Sequence, residues 1–194
     1  IILAPDPVLR KKALKVTVID QKILTLLDNM VDTMYDAPGI GLAAQQVGDL
    51  NRLIVLDCSK DEEKPRLFKM INPEIKTKTE IKTKIEEGCL SIPGFNAEVE
   101  RYAEITVNFL DTDGKKNEMN FNGLEAICIQ HEVDHLNGIL FIDHLTRLKK
   151  NMIWQKILKN RKMKKWLPDK KMKKYNIIFM GTPEFSVPSL LKLS

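Results

Sequence analysis

Residues 130–135 read QHEVDH, in which His131, Glu132 and His135 form an H-E-x-x-H pattern. On a helix, positions four apart project from one face, so both imidazoles reach a single ion, and Glu132 can face a water on that ion without being a ligand. The pattern constrains the fold. Catalytic zinc-like centres usually take three protein ligands and keep one position open, so a segment distant in sequence must fold back to complete the set. Among the candidates, His144 lies beyond Asn137-Gly138, which reads as the helix C-cap, and Cys58 ends the strand-like run RLIVLDC. Cys89 is preferred. It sits in EEGCLS, after Gly88, which allows a tight backbone approach, and before Leu90, whose N–H can point back at the site. The expected set is Cys89, His131 and His135.

The rest of the chain fits a globular enzyme. Its 194 residues suffice for one packed domain and an appendage, and no apolar run approaches a membrane span. Three scattered cysteines argue against a disulfide framework and for a reducing compartment, and no secretory signal is visible. The first residue is Ile1 rather than methionine, which leaves room for a short leader or a few residues ahead of it. Charge is divided unevenly. Residues 147–174 hold thirteen Lys/Arg and one acid, Asp169, a net of +12 against +5 for the whole chain, so the remainder carries −7.

Asp20 is positioned to cap a helix whose apolar stripe is Ile23, Leu26, Leu27, Met30, Val31 and Met34, ending near Pro38-Gly39. Strands are expected at 53–56, at 67–71 with a stop at Asn72-Pro73, and at 81–85. Ile105, Val107 and Phe109 alternate, and Asp113-Gly114 turns the chain into a strand through Met119 and Phe121. The histidine helix should cover about 124–136, and a last helix about 148–165, with Met152, Ile153, Ile157 and Leu158 docked on the body. A sheet-forming middle between helices predicts an α+β fold.

Three segments together, GIGLAAQQ at 39–46, EGCLS at 87–91 and QHEVDH at 130–135, resemble the peptide deformylase family in order and separation. PDPVLRKKA near the N-terminus and INPEI at 71–75 are also similar, and the likeness extends to about residue 165. The resemblance implies mixed or antiparallel sheets around a central metal-binding helix, with helices at both ends of the chain. It also implies a hydrolase that removes the formyl group from the N-terminal formyl-methionine of newly made polypeptides. Cys89, His131 and His135 would hold the metal, and Glu132 would pass a proton from water to the departing amine. Gln46 and the Leu90 N–H would stabilise the developing oxyanion. Ile40, Gly41, Gly88, Ile127 and Cys128 would contact substrate: Gly41 through its bare backbone, and Ile40, Ile127 and Cys128 by lining the methionine pocket. One thiolate and two imidazoles suit zinc, iron, nickel or cobalt alike, and the family's usual ion is ferrous iron. Better-known bacterial members often carry an arginine seven residues after the metal cysteine. This chain has Asn96 there, which leaves either Arg101 as a substitute or a weaker substrate grip.

Two other readings compete. A zinc metalloprotease would use the same helix motif but needs a downstream His or Glu ligand. A ribosome-binding module with a structural metal would need neither Glu132 nor Gln46. The domain plan expected is a catalytic body at 1–146, a basic helical extension at 147–171 that docks on ribosomal RNA, and a segment at 172–194. That last segment, with NIIFMG and a Gly-Thr-Pro turn, resembles the start of methionyl-tRNA formyltransferase and reads as a truncated fusion or read-through. A cytoplasmic location is expected.

Overall fold

The computed structural model describes residues 1–59 and 64–164. Among these residues, seven strands and three α-helices form an α+β fold. The strands are β1 (Gly41–Ala43), β2 (Leu53–Leu56), β3 (Phe68–Lys78), β4 (Lys82–Glu87), β5 (Ala97–Tyr102), β6 (Glu104–Leu110) and β7 (Lys116–Asn122). A five-stranded sheet runs in the order β1-β2-β3-β6-β7, and β4 and β5 form a separate pair. All pairings between strands are antiparallel.

The first helix, α1 (Gln21–Asp36), starts as the sequence predicts, with the Asp20 carboxylate accepting from the Ile23 N–H at 3.0 Å. Its buried side chains Ile23, Leu27, Met30, Val31 and Met34 pack on Leu42, Leu53, Val55 and Ile71. The other face of the same sheet presents Ile54, Leu56 and Met70 to α2 (Gly123–Leu136), through Cys128, Ile129, Val133 and Leu136. Helices on both faces explain why β2 reads as an uninterrupted apolar run. Helix α2 is buried from Ala126 to Val133. It is the centre of the molecule, and its polar residues are enclosed with it.

Two expectations need correction. The strand predicted to stop at Asn72-Pro73 continues to Lys78, because the register between β3 and β6 shifts between Ile71 and Glu74. Asn72 takes a φ of 54° there, and its side chain pairs in both directions with the Val16 backbone at 2.8 Å. A bulge lets a sheet accept a proline that cannot donate to the ladder. The last helix, α3 (Arg147–Lys164), docks through Ile153, Trp154 and Ile157, with Leu158 half-buried as Ile153 and Trp154 are, whereas Met152 is 54% exposed. Met152 falls on the opposite side of Ile153 from that stripe, and Trp154 takes its place, with its ring 5.5 Å from the Arg10 guanidinium.

Gly138 closes α2 with a φ of 75°. A Cβ there would lie 2.4 Å from the Arg10 carbonyl oxygen. Gly138→Ala should therefore lose about 1–2 kcal/mol for the backbone conformation alone, before the contact is counted. Thermal denaturation should show a drop of roughly 2–4 °C for each kcal/mol lost. A loss no larger than this backbone contribution would mean that the N-terminal segment moves aside freely, and an unchanged midpoint would contradict the backbone argument itself.

Candidate metal centre

Helix α2 carries His131, Glu132 and His135 inward, with the two imidazole centroids 5.0 Å apart. The turn after β4 delivers Cys89, whose Sγ lies 3.2 Å from His135 Nε2. One potential ligand atom from each of Cys89, His131 and His135 falls within 4.8 Å of the others, and all three residues are buried. The Cys89 turn is held by the Ile92 N–H donating to the Cys89 carbonyl, and by Ala4 N–H donating to the Ser91 carbonyl, both at 2.8 Å.

Beneath His131 lies a line of charges. His131 Nδ1 is 2.9 Å from Glu87 Oε2, and Arg101 grips the same carboxylate with Nε at 2.6 Å and Nη2 at 3.0 Å. Arg101 Nη1 then donates to Asp134 Oδ2 at 2.5 Å, and Asp134 meets His144 Nε2 at 2.6 Å. Arg101 is only 4% exposed and is engaged by Glu87 and Asp134, which speaks against the first of the two alternatives, a stand-in for the missing substrate arginine, and leaves the weaker substrate grip. It anchors Glu87, which orients His131. Asn96 is exposed on the turn, and His144 belongs to the Asp134 pair rather than to the cysteine and histidine cluster.

Burial alone would raise Glu87, but the Arg101 and His131 side chains hold it down at about 2. Burial would lower His131, yet Cys89 and Glu87 beside it hold it well above its ordinary value. Burial and the positive charge of His131 push His135 well below. One ring is thus a neutral donor, and the other lies where its surroundings attract positive charge. Glu132, 2% exposed, is raised to about 7 mainly by burial, and its Oε2 has no hydrogen-bond partner among the described residues. A soft sulfur, two imidazoles and an enclosed, unpaired carboxylate oxygen fit a divalent cation.

The depressed Glu87 fixes the sign of an acid effect. Its folded value lies below the ordinary 4.5, so its stabilisation is complete above that value and is lost as pH falls toward about 2. Urea midpoints should fall across this window, and the fall should be shallower by one proton's worth in Glu87→Gln. Parallel curves for the two proteins would remove Glu87 from the account.

The other expected residues lie as follows. Gln46 accepts from the Ala43 N–H through Oε1 at 2.8 Å, and its Nε2 is 3.8 Å from Cys89 Sγ and 3.3 Å from Ser91 Oγ. The Leu90 N–H donates to no other group among the described residues. A Cβ on Gly41 would fall 2.6 Å from both Cys128 Sγ and Glu132 Oε1, so the bare backbone of β1 makes room for the carboxylate. Cys128 reaches the Ile40 carbonyl at 3.5 Å, and Ile127 and Gly88 are buried. Cys58 packs near Cys128, outside the metal cluster. Sequence reasoning missed Glu87, although it stands two residues before Cys89, because nothing marks which of Glu86 and Glu87 turns inward.

An α+β fold with an enclosed Cys-His-His cluster and an adjacent buried glutamate defines a metal-dependent hydrolase. The family model described as "Polypeptide deformylase" matches residues 1–151. The chain is 51% identical over 159 residues to a peptide deformylase of Mesorhizobium japonicum, covering 82% of this chain and 90% of that one. It is 51% identical over 161 residues to that of Pelagibacter ubique, covering 82% and 92%. The crystal structure of a Legionella pneumophila peptide deformylase superposes with a TM-score of 0.78 at 43% identity, covering 87% of this chain and 98% of that one. The chain belongs to the peptide deformylase family. It removes the N-formyl group from the formyl-methionine of newly synthesised polypeptides, with release of formate.

Proposed function

We propose that Cys89, His131 and His135 hold one ferrous ion and that Glu132 is the general acid/base of formyl hydrolysis. The convergence of the three ligand atoms within 4.8 Å carries this reading. When bound, the ion supplies a Lewis acid and lowers the pKa of water. Glu132, made basic by its burial, takes the proton of the attacking water and returns it to the departing amine. The Gln46 amide beside Cys89 and the Leu90 N–H stabilise charge on the formyl oxygen, where one donor is worth about 10²- to 10³-fold in rate. Strand β1 lies at an edge of its sheet, so the Gly41 backbone can pair with an extended substrate, and Ile40, Ile127 and Cys128 receive the methionine side chain, with Gly88 at the turn below.

Formate release from a formyl-Met peptide by anaerobically prepared protein, with metal analysis alongside, tests the whole reading. Hydrolysis of acetylated or internal peptide bonds instead would favour a protease. Indifference of activity to air would count against iron, leaving zinc, nickel or cobalt.

The catalytic body at 1–146 is followed by the basic extension at 147–171, for which we propose docking on ribosomal RNA. In α3, Lys149, Lys156 and Lys159 are exposed while Ile157 is buried against the body. Replacing those three lysines by glutamate should reduce ribosome co-sedimentation at low salt without loss of deformylation, and unchanged co-sedimentation would refute docking. No described helix is long and apolar enough to cross a membrane, and a cytoplasmic site of action suits a ribosome-bound substrate. The formyltransferase-like segment at 172–194 lies outside the described residues. Sequencing the encoding DNA past Ser194 tests the fusion or read-through reading.

A further inference from the structure

We propose that Cys58 and Cys128 form an oxidation site, a thiol pair that a peroxide converts to a disulfide beside the substrate pocket, slowing deformylation. Neither sulfur belongs to the metal cluster. Cys128 is fully buried on α2, and Cys58, two residues beyond β2, packs against the same apolar cluster. The two segments share one acceptor, since the Ile40 carbonyl takes the Asp57 N–H at 3.0 Å and the Cys128 thiol at 3.5 Å. Contact with the Cys58 thiol, together with burial, pushes the Cys128 thiol well above its ordinary value. The pair is asymmetric. Cys58 is half-buried and open to a small oxidant, whereas Cys128 is enclosed.

That asymmetry sets the order of events. The Cys58 sulfur attacks one oxygen of hydrogen peroxide, breaking the O–O bond, to give a sulfenic acid and one water. The Cys128 sulfur then attacks the Cys58 sulfur. Its proton leaves with the sulfenic hydroxyl as a second water, so two thiols and one peroxide yield one disulfide and two waters. The new bond removes the thiol proton that Cys128 now donates to the Ile40 carbonyl and alters the sulfur that lies against Gly41 beside Glu132. The effect on turnover rests on the proposed role of Cys128 in the methionine pocket.

The test treats full-length protein loaded with zinc, which peroxide cannot oxidise, with hydrogen peroxide, blocks remaining thiols with an alkylating reagent, and digests without reduction. The expected result is a Cys58–Cys128 cross-linked peptide, a fall in kcat/KM of about tenfold or more, unchanged metal content, and recovery with dithiothreitol. Cys58→Ser should start at the activity of the parent, form no cross-link and withstand the same dose. Absence of the cross-linked peptide overturns the proposal, as does a cross-link with unchanged kcat/KM, equal inactivation of Cys58→Ser, or metal release with Cys89 oxidised instead. If reduced protein releases no formate, the functional reading fails, and the cross-linked peptide or its absence still decides the thiol chemistry.

Discussion

Glu132→Gln should lower kcat/KM on a formyl-Met peptide by about 10²- to 10⁴-fold while the protein stays folded and binds its metal in full. The substitution keeps the shape of a side chain that is 2% exposed and lies against Gly41, so packing is preserved. What is lost is the ability to accept a proton. Formate assay, metal analysis and thermal denaturation on one preparation separate the outcomes. If metal and fold disappear together, Glu132 is a structural group; if activity persists, another base must be sought.

Arg101→Met should destabilise the body strongly. Arg101 holds Glu87 through two hydrogen bonds and Asp134 through a third, with its side chain 4% exposed. Removing one partner of a buried charge pair typically costs about 3–5 kcal/mol, because the remaining carboxylates stay enclosed without their cation. Loss of the anchor of Glu87, the carboxylate that orients His131, should also weaken metal affinity, by up to about 10- to 100-fold. Calorimetry and a metal titration measure the two effects. A variant with normal stability and affinity but a raised KM would restore Arg101 to the substrate-gripping role that was one of the two alternatives read from the sequence.

Elements governed by local rules were legible in the chain. Asp20 caps α1, the alternation of Ile105, Val107 and Phe109 marks β6, and Asp113-Gly114 turns into β7, with Gly114 at a φ of 77°. Helix α2 was located by its own motif and begins one residue earlier than expected, at Gly123. Elements governed by long-range pairing were harder. Strand β5 escaped notice because its inward positions include Arg101 as well as Val99, so a buried charge breaks the apolar alternation that marks a half-buried strand. The same buried charge is what the site uses. Once Glu87 on β4 is seen near Arg101, the outlier is a satisfied pair, but their proximity depends on the register Thr83 to Arg101 and Glu87 to Ala97, which composition does not reveal. The continuation of β3 past Pro73 was hidden for a related reason, since the Asn72 bulge is stabilised by Val16, far away in sequence.

Three apolar regions meet at Cys89. The cysteine itself belongs to the one between the N-terminal segment and α3, the adjoining Leu90 packs into the one under α1, and α2 carries the one against the sheet. An ion held by this sulfur and two rings of α2 is accordingly a rivet through the seam of the molecule. Cells short of that ion would hold a looser scaffold as well as an idle catalyst, and would be expected to clear it faster.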